Sequence, residues 1–292
     1  MSLLDLKMSN DLDELYHRGQ ISDAVDLNGA GVLSWPSSTQ GKPGYYGGDR
    51  NAKTVMVMLN PGGNASCVDS DYRNLILLSK KWHPNQLSWS DFTSYYDLFK
   101  DLSANGGTYD RSRLDYFDLK QAAFLKEWRN CGVNIPQNFP VDKNTFYNAK
   151  ENVLNEKLQL ELIPYASNKF GINRSAITNI VPYLDVIFDE IFSKEREYII
   201  FAARIFEDIF KAYNKANGKI MIDLSLPKER SNNPLKLGGK LKGSCRVIYI
   251  TYKTKCFKAI IANTFPSQAL SYALDSMVRY GEFCYGIYQK YS

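Results

Sequence analysis

Histidine is nearly absent from the 292-residue chain, which contains only His17 and His83. A catalytic centre built on imidazole therefore has few candidates. Cysteine is scarce and odd in number. Cys67, Cys131, Cys245, Cys256 and Cys284 include no C-x-x-C pair, which argues for free thiols in a reducing compartment and against a structural zinc or an iron–sulfur cluster. No apolar run approaches the roughly 18 residues of a membrane span. The opening MSLLDLKMSNDLDEL is too acidic and too weakly apolar for a secretory signal. These absences predict a cytoplasmic protein with no membrane partner, metal or cofactor. The sequence also has no internal repeat and no low-complexity segment.

What is present is an ordinary apolar content of 44%, in a chain long enough to bury a sizeable core as one domain. Its organising stretch is 54–63, TVMVMLNPGG. Five apolar residues run straight into Asn60, Pro61, Gly62 and Gly63, the pattern of a strand buried on both faces and stopped by a turn. The paired glycines free the backbone for positive φ, so main-chain N–H groups can approach a ligand at the strand's carboxyl end. Open α/β sheets bind their ligands there. A second apolar run, Ala259-Ile260-Ile261-Ala262, leads into Asn263-Thr264-Phe265-Pro266-Ser267 and then a helical pattern.

Around these two strands the chain reads in blocks. Residues 1–50 form an N-terminal extension with a short helix around 11–18, followed by a stretch too rich in Gly and Pro for a regular element. In that stretch Tyr45 and Tyr46 either line a pocket or pack within a surface loop. Residues 64–155 are aromatic and polar with helical periodicity. They far exceed the dozen or so residues that a parallel crossover needs, so they read as a helical insertion or lid. From 157 to 282 strands and helices alternate: a strand at 158–164, a helix at 179–194 with Pro182 in its first turn, a strand at 198–203, an amphipathic helix from Ile205 to Tyr213, a strand at 219–224, and a hairpin over 246–262 turning near Lys253. Ser267 suits an N-cap, with Leu270, Ala273, Leu274, Met277 and Val278 at helical spacing. This alternation predicts a single α/β domain, a three-layer α/β/α sandwich around a mainly parallel sheet.

A strand leading to LNPGG and a later strand leading to a Pro-Ser turn resemble the two active-site motifs of the uracil-DNA glycosylase superfamily, with Asn before Pro-Gly as in its mismatch-specific uracil/thymine branch. The resemblance covers 54–63 and roughly 158–280. It implies a base-hydrolysing or base-recognising protein that acts on DNA, single-stranded or damaged. In it Asn60 positions the water, Pro61, Gly62 and Gly63 press on the base or a phosphate, and Phe265, Pro266 and Ser267 border the base. Phe265 stands where the commonest form of the family has a hydrogen-bonding His. The mismatch-specific branch lacks that His as well. Tyr165 and Ser167, after the 158–164 strand, occupy the place of the family's base pocket, although Tyr165 also suits a packing role. Leu270 corresponds to an apolar wedge displaced by one position, or to a helix core residue.

Charge completes the expectation. Between positions 228 and 258 nine basic residues face one acid, Glu229, in a chain whose net charge is +5. A local basic stripe is the footprint of phosphate contact, or else a solvated loop. Lys236, Lys240, Lys242 and, after the 198–203 strand, Arg204 are the candidate phosphate ligands.

Overall fold

The computed structural model describes residues 2–18, 20–34, 44–59, 116–128, 157–165, 167, 169–171, 176–216, 220–231, 243–263 and 273–291. The chain divides into two compact units, one drawn from 1–46, 59–114 and 161–193, the other from 47–58, 115–160 and 194–292.

In the first unit α1 spans Leu3–Arg18. It is longer than the expected 11–18 helix because Ser2 and Asp5 close a reciprocal cap: the Asp5 N–H donates to Ser2 Oγ (3.1 Å) while the Ser2 N–H donates to Asp5 Oδ2 (3.1 Å). The next helix, α2 (Ser22–Gly29), falls in the extension expected to be irregular beyond its first helix, and buries Ala24 and Leu27. Gly31, at φ 73°, then turns the chain into β1 (Leu33–Ser34), which pairs antiparallel with β5 (Lys169–Phe170). Helix α4, Ile177–Phe192, buries Ile180, Leu184, Ile187, Phe188 and Ile191 along one stripe. It starts before the expected 179, so Pro182 lies within it rather than in its first turn. Helix α1 packs against α4, and the Leu3 N–H donates to Asp189 Oδ2 (2.8 Å).

The second unit is organised on a sheet. Its strands are β2 (Tyr46–Gly48), β3 (Thr54–Met58), β4 (Lys157–Glu161), β6 (Tyr198–Phe201), β7 (Ile220–Asp223), β8 (Glu229–Arg230), β9 (Ser244–Tyr252) and β10 (Lys255–Ile261). The order is β2-β4-β3-β6-β10-β9-β7, with β8 beside β9. Every residue of β3 and β6 is buried, as a continuous apolar run requires of a strand covered on both faces. Pairing is parallel from β3 to β6 and from β6 to β10, then antiparallel from β10 to β9 and from β9 to β7 and β8. The fold is thus α/β with a mixed sheet, where the sequence suggested a mainly parallel one. The cause is local: only Lys253 and Thr254 separate β9 from β10, and so short a link joins antiparallel neighbours only. Lys253 takes φ 54° to make that turn.

Three helices accompany the sheet: α3 (Tyr116–Leu125), α5 (Phe206–Ala216) and α6 (Ala273–Lys290). Helix α3 and the residues following it to Trp128 are the described part of the expected 64–155 insertion. Helix α5 buries Phe206, Ile209, Phe210 and Tyr213 on one face, and Phe201 of β6 sits against Phe206 and Phe210. Helix α6 packs on α3, β9 and β10. Beside it Trp128 meets Tyr198, Tyr285 and Tyr288 with ring centroids 5.2–5.4 Å apart. Lys157 is fully buried at the start of β4, its ammonium donating to the side-chain oxygens of Gln121 and of Gln159 (3.0 Å).

Helices α3 and α6 meet at Gly281, where an added Cβ would overlap the Phe124 carbonyl. Backbone cannot yield there as a flexible side chain would. Gly281→Ala is therefore expected to destabilise the protein by about 1–3 kcal/mol, an overpacking cost that outweighs the gain from replacing a helix-interior glycine. Urea unfolding checks this, and an unchanged or raised midpoint would contradict the close approach.

Candidate functional site

Register decides where the two turn motifs begin. Strand β6 lies between β3 and β10, parallel to both, so that Val57, Phe201 and Ile261 stand level across the three strands. One further backbone bond extends each pairing: the Ala202 N–H donates to the Val57 carbonyl (2.9 Å) and the Ala262 N–H to the Phe201 carbonyl (2.8 Å). Strands β3 and β10 accordingly release the chain on the same edge of the sheet, two strand spacings or about 10 Å apart. Between them the middle strand continues as Ala202 and Ala203, both buried. Their side chains end at Cβ, and nothing longer leaves this strand before Arg204.

Of the residues singled out in the sequence, Asn60, Pro61, Gly62, Gly63, Phe265, Pro266, Ser267, Leu270, Lys236, Lys240 and Lys242 lie outside the described residues. Their flanking strands are placed as above. Arg204 is exposed in the turn between β6 and α5, where its carbonyl accepts the Glu207 N–H (3.1 Å).

A residue the sequence reading passed over organises the end of β10. Asn263 is 4% exposed, and its side-chain oxygen accepts from Ser244 Oγ (3.0 Å). The Asn263 N–H donates to the Tyr280 hydroxyl (2.5 Å), which itself donates to the Ser244 carbonyl (2.6 Å). Tyr280 thus ties α6 to the end of β10 and the start of β9 at the point where the Pro-Ser segment departs. Burial, with the neighbouring Cys284, pushes the Tyr280 phenol well above its usual range, so it stays a protonated donor. An Asn ending an apolar strand is the sequence signal for such a lip, but its partners are distant in the chain.

The basic segment is partly used internally. Lys228 pairs with Glu207 (2.6 Å), and Arg246 lies 3.6 Å from the same carboxylate. Arg246 also donates to the carbonyls of Leu224 (2.7 Å) and Leu226 (3.0 Å). Lys258 sits 4.0 Å above the Tyr288 ring and donates to the Tyr288 carbonyl, and burial lowers its pKa. Among the described residues of the segment, Arg230, Lys253 and Lys255 are exposed.

Tyr165 and Ser167 belong to the first unit and are both buried, at 0% and 6% exposure. Tyr165 therefore offers no ring face to a ligand in this conformation. Its hydroxyl donates to Asp11 Oδ2 (2.9 Å) and accepts from Lys7 Nζ (2.5 Å). Asp11, itself 3% exposed, also receives the Tyr45 hydroxyl and, at 2.5 Å, Lys7 Nζ. Lys7 reaches Asp23 as well (2.9 Å). Tyr45 is buried and lines a small cavity with Leu4, Lys7 and Tyr183. Burial, followed by the Asp11 charge, raises the phenols of Tyr45 and Tyr165 far above neutral pH. Both are hydrogen-bond donors and not proton-transfer groups.

Among the described residues no group of three or more His, Cys, Asp or Glu is placed to hold a metal ion. No helix among them is long and apolar enough to cross a membrane. Cys245 and Cys284 are free and buried, and Cys256 is free and exposed. Comparison of the chain with protein-family models, with curated proteins and with solved structures finds no match.

Tyr280→Phe leaves the buried Asn263 N–H without its acceptor and should cost about 1–3 kcal/mol in urea unfolding; an unchanged stability would show that the hydroxyl does not anchor the end of β10. For Asp11, desolvation outweighs Lys7 and the two phenols and raises the carboxyl above its ordinary 3.8. The unfolded chain then ionises first as pH rises, so Asp11 costs the fold stability on going upward from about pH 4. The stability of Asp11→Asn minus that of the natural protein should therefore increase with pH across this window. A difference that falls instead would mean the Lys7 charge dominates.

Proposed function

We propose that this protein is a DNA-base N-glycosylase-like protein that hydrolyses or recognises a uracil-like or otherwise altered base in DNA. We extend the proposal to its architecture, a three-layer sandwich of the uracil-DNA glycosylase kind carrying a helical insertion. The observation that supports the reading best is the register of β3, β6 and β10, which starts LNPGG and the Pro-Ser segment from one sheet edge on either side of the same strand.

Breaking an N-glycosidic bond leaves a cationic sugar and an anionic base. The reaction needs a positioned water, donors to the base and a site that admits a base taken out of its stack. Asn60 holds the water through its amide, which is a poor base, so catalysis proceeds by positioning and is slow. The backbone of Pro61, Gly62 and Gly63 approaches the base or a phosphate. Phe265 supplies no hydrogen bond to the departing base, which favours a second reading: a nucleic-acid or nucleotide binder that retains the pocket without the chemistry. Lys236, Lys240, Lys242 and Arg204 meet phosphates in either case.

The test uses labelled single- and double-stranded oligonucleotides carrying uracil, mismatched thymine or hypoxanthine, treated with alkali to cleave abasic sites. Cleavage is expected at one altered base. Asn60→Ala should slow that cleavage about 30- to 1,000-fold, a loss of about 2–4 kcal/mol of transition-state stabilisation, while DNA affinity changes far less. No cleavage, with preferential binding of an altered base, selects the binder. Cleavage indifferent to Asn60, or neither cleavage nor selective binding, refutes the reading.

A further inference from the structure

The strand order ends at β7, Ile220–Asp223, whose inner side pairs with β9 and whose outer side has no strand beyond it among the described residues. Such an edge offers unpaired N–H and C=O groups to any extended chain. Proteins usually blunt it with Lys, Pro or a bulge. The β7 sequence, Ile-Met-Ile-Asp, has no Lys or Pro, and its Met221 is 65% exposed. The opposite end of the order, β2, ends in two glycines, with Gly48 at φ 86° turning the chain away from extended geometry.

The β7 edge is closed differently. From the last turn of α5, the Asn214 side chain accepts the Ile222 N–H on Oδ1 (3.1 Å) and donates from Nδ2 to the Ile222 carbonyl (2.7 Å). One carboxamide thus satisfies both backbone groups of one residue, as the peptide groups of an added strand would. In an antiparallel strand successive residues turn these groups to opposite sides. Those of Met221 and Asp223 face β9, and Ile222 holds the central outward pair. Asp223 then accepts the Ser225 N–H through its own side chain (2.8 Å), which ends the strand in a turn.

We infer that Asn214 plugs the open edge of the sheet and prevents β7 of a second copy of this chain from pairing with it. Two copies of β7 meeting edge to edge would have to displace the two Asn214 bonds before gaining any of their own. With those bonds removed, Ile222 presents its free N–H and C=O beside the exposed Met221, and the strand becomes self-complementary in the antiparallel sense.

The test is the assembly state of the full chain, followed by light scattering after gel filtration over a wide range of concentration, with far-ultraviolet circular dichroism to verify folding. Asn214→Leu, similar in size but unable to make either bond, should self-associate more than the natural protein and, at concentrations where it is still monomeric, lose hydrogen-exchange protection at the Ile222 amide. Adding Met221→Lys, a charge on the edge strand, should return it to the natural assembly state. Asn214→Asp keeps the acceptor for the Ile222 N–H and leaves the carbonyl unpaired. It should associate to an intermediate degree and provides the same reading if the leucine variant folds poorly. Variants that lose stability but keep the natural assembly state, or association that persists after Met221→Lys, would show Asn214 to be only a local clamp between α5 and β7.

Discussion

The constraint on which the rest depends is the parallel pairing of β6 with β3 on one side and β10 on the other. Parallel neighbours must run in one direction, so once Val57, Phe201 and Ile261 share a level, the chain leaves β3 and β10 on one edge. Burial enforces that register. Val55, Met56, Val57, Ile199, Ile200, Phe201, Ile260 and Ile261 are at most 1% exposed, and a slip of one residue would exchange the faces to which all of them are fitted. The bonds from Ala202 and Ala262 extend the pairing just past the strands. Beyond that point the backbone is released into the two turn motifs. Asn263, held by Ser244 and Tyr280, anchors the end of β10.

Much of this was legible in the residues because it depends on local pattern. The apolar runs at 55–59 and 259–262 have the length and the flanking turns of buried strands. The stripes from Ile180 to Ile191 and from Phe206 to Tyr213 have helical period, and two polar residues between β9 and β10 mark a hairpin. What could not be read depends on partners far away in the chain. Strand direction is not written in an apolar run, so beyond the expected 246–262 hairpin the antiparallel pairing of β7 and β8 with β9 emerged only from the structure. Tyr45 and Tyr165 look like residues at turns and strand ends. Both are buried and hydrogen-bond Asp11, which lies 34 and 154 positions away. Helix α1 was underestimated because its first turn depends on the Ser2–Asp5 cap more than on periodicity.

The electrostatics follow the same division. Nine positive charges within one segment look like a uniform stripe, yet Glu207, from a different element, binds Lys228 and lies near Arg246, and Tyr288 takes Lys258. A count of charge along the chain cannot show such neutralisation. In the first unit, one buried carboxylate gathers an ammonium and two phenols into a protonated network, a structural use of groups that in isolation resemble acid–base machinery. Among the described residues where β6 and β10 end, Arg204 is exposed and Asn263 is buried in its own hydrogen bonds.

Photo-crosslinking tests whether the segments following β3 and β10 face one nucleic-acid ligand, as proposed. The protein is irradiated with an oligonucleotide carrying a single halogenated uracil and digested, and the attached peptides are sequenced. Adducts at that base are expected in peptides containing Asn60, Pro61, Gly62 and Gly63 and in peptides containing Phe265, Pro266 and Ser267, both suppressed by an excess of unlabelled oligonucleotide. Adducts confined to other parts of the chain, or none that competitor suppresses, would contradict the proposal.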